Sequence, residues 1–328
     1  MKSPSILSVL LAGAAVFSSS ILSAATTDPV GYVTETLKSD SFNLFGLNLA
    51  SPVVVSGTFE SSNETTLTDS DASFDTQLSP GSEYYVKILS GEGNVGINTS
   101  ASASGATTIL TADDISAVVS AGTQYEIRRV LTISDIFGAD NSAELKGALA
   151  GDRTNADIVW IPDGEGGYTR VYYNETARTF PPLSVGWKTT GSADADASTT
   201  PVYFTDGMLI QVKRSTFDVA EAGVDELDLT RKNLTITGSV QTADSQLVLE
   251  QGFNFISRVF PGNVTLAESD LSQVIAHATA GDLTNADIIW VPDGAGAYNR
   301  YYYNGTARTF PPLSVGWKRT SAADADVS

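Results

Sequence analysis

Two groups of aromatic residues, each with an arginine nearby, have the chemistry to bind carbohydrate. Aromatic rings stack on the apolar faces of sugars, and charged side chains bond to sugar hydroxyl groups. Side chains two residues apart in a strand share a face, so Tyr168, Arg170 and Tyr172 line one side. The candidate ligand-binding residues are Trp160, Tyr168, Arg170, Tyr172, Trp187, Trp290, Tyr298, Arg300, Tyr302 and Trp317. The same residue types suit a hydrophobic core, and we expect one aromatic face of each group to be buried.

A second candidate site is acidic. Asp69, Asp71 and Asp75 place carboxylates at alternating positions, as a calcium-binding loop requires, so Ca²⁺ is a candidate cofactor. The stretch lacks the central glycine and the terminal glutamate of an EF-hand. Such stretches also form solvated turns, because aspartate tolerates turn dihedral angles, and this is the interpretation we prefer.

Paired carboxylates could also serve a polysaccharide hydrolase, which uses two acids on either side of the glycosidic bond. Asp157 and Asp163 are the best-placed pair, but a chain with 38 acidic residues contains such pairs by chance. The one histidine, His277, leaves little room for a catalytic triad, and we interpret it as a surface or packing residue. Catalysis is therefore the most remote hypothesis.

These candidate residues are carried by a duplicated unit. Residues 151–198 and 281–328 align without a gap at an offset of 130 positions, and 36 of the 48 aligned residues are identical. Self-similarity of this kind marks a repeated structural module. It favours an array of binding or structural modules over one asymmetric catalytic pocket, and two copies can add avidity.

Alternating β-type runs separated by glycine- and proline-rich turns predict strands throughout the chain. In the first copy we predict strands at 157–161, 168–173, 183–189 and 208–213, with a hairpin loop between the first two. Apparent capping boxes predict short helices at 112–119, 141–149 and 271–278. The predicted fold is all-β or β-dominated, with tandem antiparallel β-meander modules and short flanking helices.

The predicted organisation has four parts. Residues 1–25 form a signal peptide, 26–130 an N-terminal β-rich domain, 131–216 the first module and 217–328 the second module. The second copy has no counterpart of the strand at 208–213, which leaves an unpaired sheet edge. Either the chain is truncated at Ser328, which is the interpretation we prefer, or another chain supplies the strand. A fainter repeat relates 37–44 to 249–256.

The N-terminus and the composition predict where the protein works. Lys2, an apolar run at 6–17 and small residues at 23–25 are typical of a secretory signal peptide. The net charge is −19, and it becomes −20 once the signal peptide with its single lysine is removed. This acidity argues against nucleic acid and anionic membranes as partners. No later segment predicts a membrane span, and the absence of cysteine excludes disulfides. We expect a secreted, extracellular or cell-surface protein, with the periplasm as an alternative.

Several motifs resemble a family of secreted bacterial proteins of the Verrucomicrobia and Planctomycetes type. They are the mature start DPVGYVT, the segments YYVKILSGEGNVGI and YEIRRVLTISDIFG, and the series ADIVW, YTRVYY and GWK. The resemblance covers most of the chain after the signal peptide. The family carries no assigned activity, so the resemblance implies no catalytic residues. Its members usually continue past the GWK segment to a final strand.

Together, these features of the sequence predict a secreted, non-catalytic structural or adhesive protein of the cell surface or extracellular matrix. Its expected partners are an extracellular polysaccharide or a surface protein. The main alternative is a carbohydrate-binding protein that uses the duplicated tryptophan and tyrosine faces. Burial of Trp160 and Trp187 would argue against that alternative, because a buried ring cannot stack on a sugar.

Overall fold

A computed structural model describes most of the chain after the predicted signal peptide. The described residues are 29–91, 93–163, 167–191, 194–203, 206–217, 229–242, 245, 246, 249, 251–257, 264–293 and 297–320. The predicted signal peptide lies outside them. The β-dominated fold class is confirmed, with several antiparallel sheets and two short α-helices.

Three stretches of chain supply the strands. The first contributes β1 (Val30–Lys38), β2 (Ser41–Gly46), β3 (Val53–Phe59), β4 (Ser61–Asn63), β5 (Thr66–Thr68), α1 (Phe74–Gln77), β6 (Tyr84–Ile88), β7 (Asn98–Ala103), β8 (Thr108–Thr111) and β9 (Thr123–Arg129). The second contributes β10 (Leu131–Thr132), α2 (Ile133–Phe137), β11 (Ala148–Leu149), β12 (Ile158–Pro162), β13 (Tyr168–Thr176), β14 (Gly186–Thr189), β15 (Pro201–Val202) and β16 (Gly207–Val212). The third contributes β17 (Arg231–Ser239), the 3₁₀ helix Leu271–Gln273, β18 (Ala278–Thr279), β19 (Ile289–Pro292), β20 (Tyr298–Thr306) and β21 (Gly316–Arg319).

The largest sheet has seven antiparallel strands in the order β3-β9-β6-β7-β8-β5-β4. Alternating apolar residues of its strands form one hydrophobic core, because successive side chains point to opposite faces. Phe59 stacks on Tyr125 with ring centroids 4.0 Å apart, and both rings are buried. The Tyr125 hydroxyl donates a 2.6 Å hydrogen bond to Asp69, which satisfies both buried polar groups.

The first module builds a six-stranded sheet in the order β11-β13-β12-β16-β2, with β14 also pairing with β13. Its outer strand, β2, comes from the N-terminal part of the chain and pairs antiparallel with β16. Val159 in β12, Ile210 in β16 and Phe45 in β2 are at most 1% exposed and share one core. The sheet therefore draws its core from sequence segments more than 150 residues apart.

Two further elements close this core. Strands β1 and β17 form an antiparallel ribbon, from which Leu37 and Leu234 reach the core of the first module. Helix α2 begins with a capping box between Thr132 and Asp135, which satisfies backbone groups at the helix start. It contributes Phe137, which is fully buried.

The second module repeats the central hairpin of the first. Its four-stranded sheet has the order β18-β20-β19, with β21 also pairing with β20. The registers match, since Trp290 pairs with Arg300 as Trp160 pairs with Arg170. Within the described part of the module, β19 has β20 as its only neighbouring strand, whereas β12 lies between β13 and β16.

The predicted strands and hairpins of both modules are confirmed to within a few residues. One difference concerns the last strand of the first module, because β16 pairs with β12 rather than continuing the meander beyond β14. In the described part of the chain, no helix has the length and apolar character needed to cross a membrane.

The predicted helices at 112–119 and 141–149 are wrong. The hydroxyl of Thr111 donates to the carbonyl of Asp113, and Asp114 accepts from Ser116, so both side chains stabilise turns. Asn141 bonds through its side chain to both backbone groups of Leu145. Local bonds of this kind compete with helix formation.

The third predicted helix, 271–278, is reduced to the three-residue 3₁₀ helix. Asp270, the expected N-cap, has a φ of 54°, which is a left-handed conformation that does not lead into an α-helix. The capping box that the structure does form, Thr132 to Asp135, has the same sequence spacing as the predicted ones. Sequence spacing alone therefore does not distinguish a capping box that starts an α-helix from a similar pattern that does not.

Candidate binding surface

Four of the candidate aromatic residues lie in the cores of the modules. Tyr172 and Tyr302 are fully buried, and Trp187 and Trp317 are 1% and 6% exposed. The Trp187 indole donates a 2.7 Å hydrogen bond to the carbonyl of Gly138. These rings have no open face to offer a sugar, so they act as packing residues.

Tyr172 shows how completely this packing satisfies the polar end of the ring. Its hydroxyl donates a 2.9 Å hydrogen bond to Asp194. Burial and then the bond and charge of Asp194 raise the pKa of Tyr172 to about 12. The hydroxyl therefore stays protonated and structural at neutral pH.

Trp160 is half-buried and lies on the face of the first module's sheet that carries Arg170 and Tyr172, opposite the face of Trp187. The guanidinium of Arg170 lies 5.1 Å from the centre of the Trp160 ring, in a cation–π contact. Phe42 and Tyr168 contact Trp160 edge to face, at centroid distances of 5.7 and 5.9 Å. The Trp160 indole N–H is buried and has no hydrogen-bond partner among the described residues. Neighbouring side chains thus cover much of this ring.

The matching tryptophan of the second module is more open. Trp290 is 48% exposed and Tyr298 is 43% exposed. Arg300 lies 5.5 Å from the centre of the Trp290 ring, which repeats the Arg170–Trp160 contact. Phe253 contacts Trp290 edge to face at 6.4 Å, as Phe42 contacts Trp160. The faint repeat between 37–44 and 249–256 thus has a structural counterpart in these two phenylalanines.

One chain segment contacts both aromatic faces. Phe255 contacts Tyr168 edge to face at 5.6 Å, and Phe253 contacts Trp290. Burial, and then the charge of Tyr298, raise the pKa of Tyr168. We call the surface formed by Trp160, Tyr168, Phe255, Tyr298 and Trp290 the aromatic band. Its most accessible part belongs to the second module.

The structure does not bring the acidic candidates together as a metal site. Asp69 is buried, and its carboxylate accepts hydrogen bonds from Tyr125 and from the Asp71 amide. Asp71 and Asp75 are exposed. The described residues contain no group of three or more His, Cys, Asp or Glu side chains placed to hold a metal ion.

The carboxylate pair proposed for hydrolysis has structural partners. Asp157 is buried, accepts a hydrogen bond from the Lys146 amide and lies 3.2 Å from the Arg214 guanidinium. Asp163 accepts a 2.8 Å bond from the Gly167 amide at the end of the hairpin loop. These contacts hold backbone in place. His277 is exposed, and its ring lies 4.7 Å from that of Tyr303.

Sequence reasoning missed the most exposed aromatic side chains, which lie in the loops after β13 and β20. Phe180 is 89% exposed, and its counterpart Phe310 is 88% exposed. Val185 and Val315, five residues further on, are 49% and 51% exposed. We call residues 177–185 and 307–315 the twin loops. Each one displays a large apolar side chain to solvent.

Each twin loop is held by an arginine at its base. The Arg178 guanidinium donates bonds of 2.9 Å to the Pro181 carbonyl and 3.0 Å to the Ala150 carbonyl. Its backbone exchanges two 2.9 Å hydrogen bonds with Leu183. Asn174, fully buried, donates from its side-chain amide to the carbonyl of Ser184. The tip of the loop is therefore presented on a fixed base.

The second loop repeats these contacts one by one. Arg308 donates to the carbonyls of Pro311 and Ala280, both at 2.9 Å, and exchanges backbone bonds with Leu313. Asn304 donates to the carbonyl of Ser314 at 2.8 Å. Two copies of one hydrogen-bonded frame thus carry two exposed phenylalanines.

A sequence signal for the twin loops did exist. Residues 176–188 and 306–318 are identical at all thirteen positions, which is the longest unbroken match between the two copies. The run includes buried Trp187 and Leu183, whose identity packing explains, but also Phe180, whose identity packing does not explain. Both copies therefore keep the same exposed phenylalanine, at Phe180 and Phe310.

Comparison of the chain with protein-family models, with curated proteins and with solved structures gave no match. The resemblance to secreted bacterial proteins therefore stays a prediction.

Proposed function

We propose that this protein is a secreted, non-catalytic adhesive protein that holds surfaces together through its twin loops. The observation that carries the proposal is the near-complete exposure of Phe180 and Phe310 on identical hydrogen-bonded frames. Leaving a phenylalanine in water forgoes about 1.5–3 kcal/mol of burial free energy, which a partner surface can recover. Burying the two rings in a partner would recover that free energy twice.

The frame favours binding in a second way. Arg178 and Asn174 fix the loop backbone before contact, so association has less conformational entropy to remove. Two identical tips on one chain also convert the second contact into an intramolecular event, which raises avidity. Both features suit attachment to a repetitive surface, such as a polysaccharide or an array of surface proteins.

The structural roles of the candidate acidic residues support a non-catalytic function. Asp157 and Asp163 are engaged in backbone and ion-pair contacts, as described above. A cavity of about 260 Å³ beside α2 is lined by Leu47, Leu131 and Ile236, among others, and its carboxylate, Asp135, caps the helix. These acids already serve folding roles, which supports a binding function over hydrolysis.

Substitution of the two phenylalanines tests the adhesive function. We would measure retention of the mature chain, residues 26–328, on washed cells of the producing organism and on insoluble polysaccharides. Phe180→Ser and Phe310→Ser should each weaken retention several-fold, and the double variant should lose it, because avidity needs both tips. The free energy of unfolding should change by less than about 0.5 kcal/mol, since both rings are exposed. Full retention of the folded double variant would contradict the proposal.

A second candidate function, carbohydrate binding by the aromatic band, is favoured by the open ring of Trp290 beside Arg300. Trp290→Ala should abolish sugar-induced changes in tryptophan fluorescence, whereas Phe310→Ser should leave them intact. The two variants therefore separate the two binding surfaces. Absence of any fluorescence change with a panel of polysaccharide fragments would argue against this candidate.

A further inference from the structure

One lysine of the largest sheet is completely buried. Lys87 lies in β6, and its amine donates a 2.8 Å hydrogen bond to the side-chain carbonyl of Gln241. The amine also donates to the Ser245 hydroxyl at 3.0 Å. Lysine is rarely buried to this extent. Burial favours the neutral, nucleophilic form of an amine over its charged form, so the environment of Lys87 suits a nucleophile.

The chain around Gln241 is fixed against the same sheet. The backbone amide of Gln246 donates a 2.7 Å hydrogen bond to the carbonyl of Gly96. Asn98, at the start of β7, donates from its side chain to the carbonyl of Gln246 at 3.1 Å. Lys87 and Gln241 are 154 residues apart in the sequence, and these contacts hold their side chains together.

The side chain of Gln241 carries a donor that the fold does not satisfy. The residue is 4% exposed, and its side-chain nitrogen has no hydrogen-bond partner among the described residues. A buried polar group in this state destabilises the folded protein, because the hydrogen bonds that it made to water are not replaced. A reaction that expelled this nitrogen would remove that penalty.

We infer that Lys87 and Gln241 form an intramolecular amide cross-link. The Lys87 nitrogen forms a bond to the side-chain carbonyl carbon of Gln241, and the bond from that carbon to the Gln241 nitrogen breaks. Two protons of the lysine ammonium pass to the leaving nitrogen, which departs as ammonium. Atoms and charge therefore balance without an oxidant or a co-reactant. The inference depends neither on the twin loops nor on the proposed adhesive function.

The two reacting groups are already in contact. The carbonyl carbon of Gln241 lies one C=O bond, about 1.2 Å, beyond the oxygen that Lys87 contacts. Groups held about 3–3.5 Å apart react far faster than free ones, because the entropy of bringing them together has already been lost. The new bond would join the largest sheet covalently to the chain that leads to the second module.

A buried carboxylate is placed to carry the protons between the two nitrogens. Glu126 in β9 is the register partner of Lys87, so the two side chains project from the same face of the sheet. Arg128 holds this carboxylate in position with hydrogen bonds of 2.8 and 3.1 Å. Proton transfer by a positioned carboxylate is a common form of general acid–base catalysis.

Mass spectrometry tests the cross-link directly. The folded mature chain, residues 26–328, should weigh less than its sequence by the mass of one ammonia molecule. Trypsin does not cleave after an acylated lysine, so residues 39–128 and 233–258 should stay joined as one branched peptide. Fragmentation of that peptide should place the bond at Lys87 and Gln241. The full sequence mass, with 39–87 released as a separate peptide, would overturn the inference.

Three variants identify the reacting groups. Lys87→Arg keeps a buried cation but cannot form the amide, so it should have the full mass while near-UV circular dichroism shows that it is folded. Gln251→Glu, an exposed position on the same tryptic peptide, should keep the mass loss and serves as the control. Glu126→Gln should slow the mass loss about tenfold or more. A mass loss that persists in folded Lys87→Arg would overturn the inference, and an unchanged rate in Glu126→Gln would overturn the role of Glu126.

Discussion

The first and second modules share 36 of 48 residues and the same strand registers, yet the central strand is buried in one and open in the other. Trp160 is half-buried while Trp290 is 48% exposed, and Asp157 is buried while Asp287 is exposed. The local sequence therefore specifies the hairpin and its register. Burial depends on what other parts of the chain bring to each hairpin.

Several other parts of the chain cover the hairpin of the first module. The first module receives β2 and the β1–β17 ribbon from elsewhere in the chain, and its own α2 and β16 complete the core. In the second module, the described residues 264–270 form turns where α2 would lie. Within the described ranges, the same hairpin is thus the centre of a core in the first module and the edge of a sheet in the second.

The largest expected loss of stability follows from removing the second tryptophan of a module. Trp187 packs on Phe137 and Tyr173 and donates to Gly138, so Trp187→Ala should cost about 3–5 kcal/mol of unfolding free energy. Trp317 is slightly more exposed, so Trp317→Ala should cost less than about 3 kcal/mol. Urea denaturation, monitored by near-UV circular dichroism, measures the free energy of unfolding of both variants. Equal losses of unfolding free energy would mean that the two cores are equally well packed. That result would contradict the contrast between the two modules.

A smaller loss of stability should follow from removing the ion-pair partner of the buried acid. Arg214→Met leaves the Asp157 carboxylate buried beside an apolar side chain, and it should cost about 3 kcal/mol. Asp287→Asn, at the exposed counterpart, should change stability by less than about 0.5 kcal/mol. Thermal unfolding of both variants would show the contrast. A mild Arg214→Met phenotype would show that Asp157 is stabilised by its other contacts alone.

The smallest effect concerns the start of α2. Burial opposes ionisation of Asp135, but hydrogen bonds from Arg129 and Thr132 outweigh it and lower the pKa of Asp135. A lowered pKa contributes stability above the unfolded value of about 3.9, and this contribution is lost as pH falls through the folded value. Asp135→Asn should therefore cost about 1 kcal/mol near neutral pH, and the difference should shrink below about pH 4.

The second module offers a matched control for this pH effect. Thr265 donates from its amide and hydroxyl to Glu268, and these bonds lower the pKa of Glu268. Glu268 is fully exposed, so Glu268→Gln should have a smaller effect at every pH. Denaturant titrations from pH 3 to 7 compare the two variants. A constant Asp135→Asn deficit across that range would show that the carboxylate charge does not matter.

Part of this structure could be read from the sequence because it depends on local pattern. The strands around Trp160 and Trp290 alternate clearly and are bounded by Pro-Asp-Gly turns, so their hairpins were predicted correctly. The helix at 141–149 was predicted wrongly because Asn141 and Glu144 satisfy turns with left-handed φ values, which a capping pattern does not reveal. The pairing of β2 with β16 could not be predicted, since no local signal links segments so far apart.

The sequence by itself determined the β-rich fold, the duplication and the register inside each hairpin, because side-chain alternation and turn residues act over a few positions. Only the tertiary structure decided which aromatic rings are buried. Tyr172 and Trp187 are buried by contacts inside their own module, whereas Phe180 of the same module stays in solvent. Trp160 is covered more than Trp290 because β16 pairs with β12 beside it, and the described residues place no such strand beside Trp290. Burial depends on contacts between segments, which a local pattern of residues does not specify.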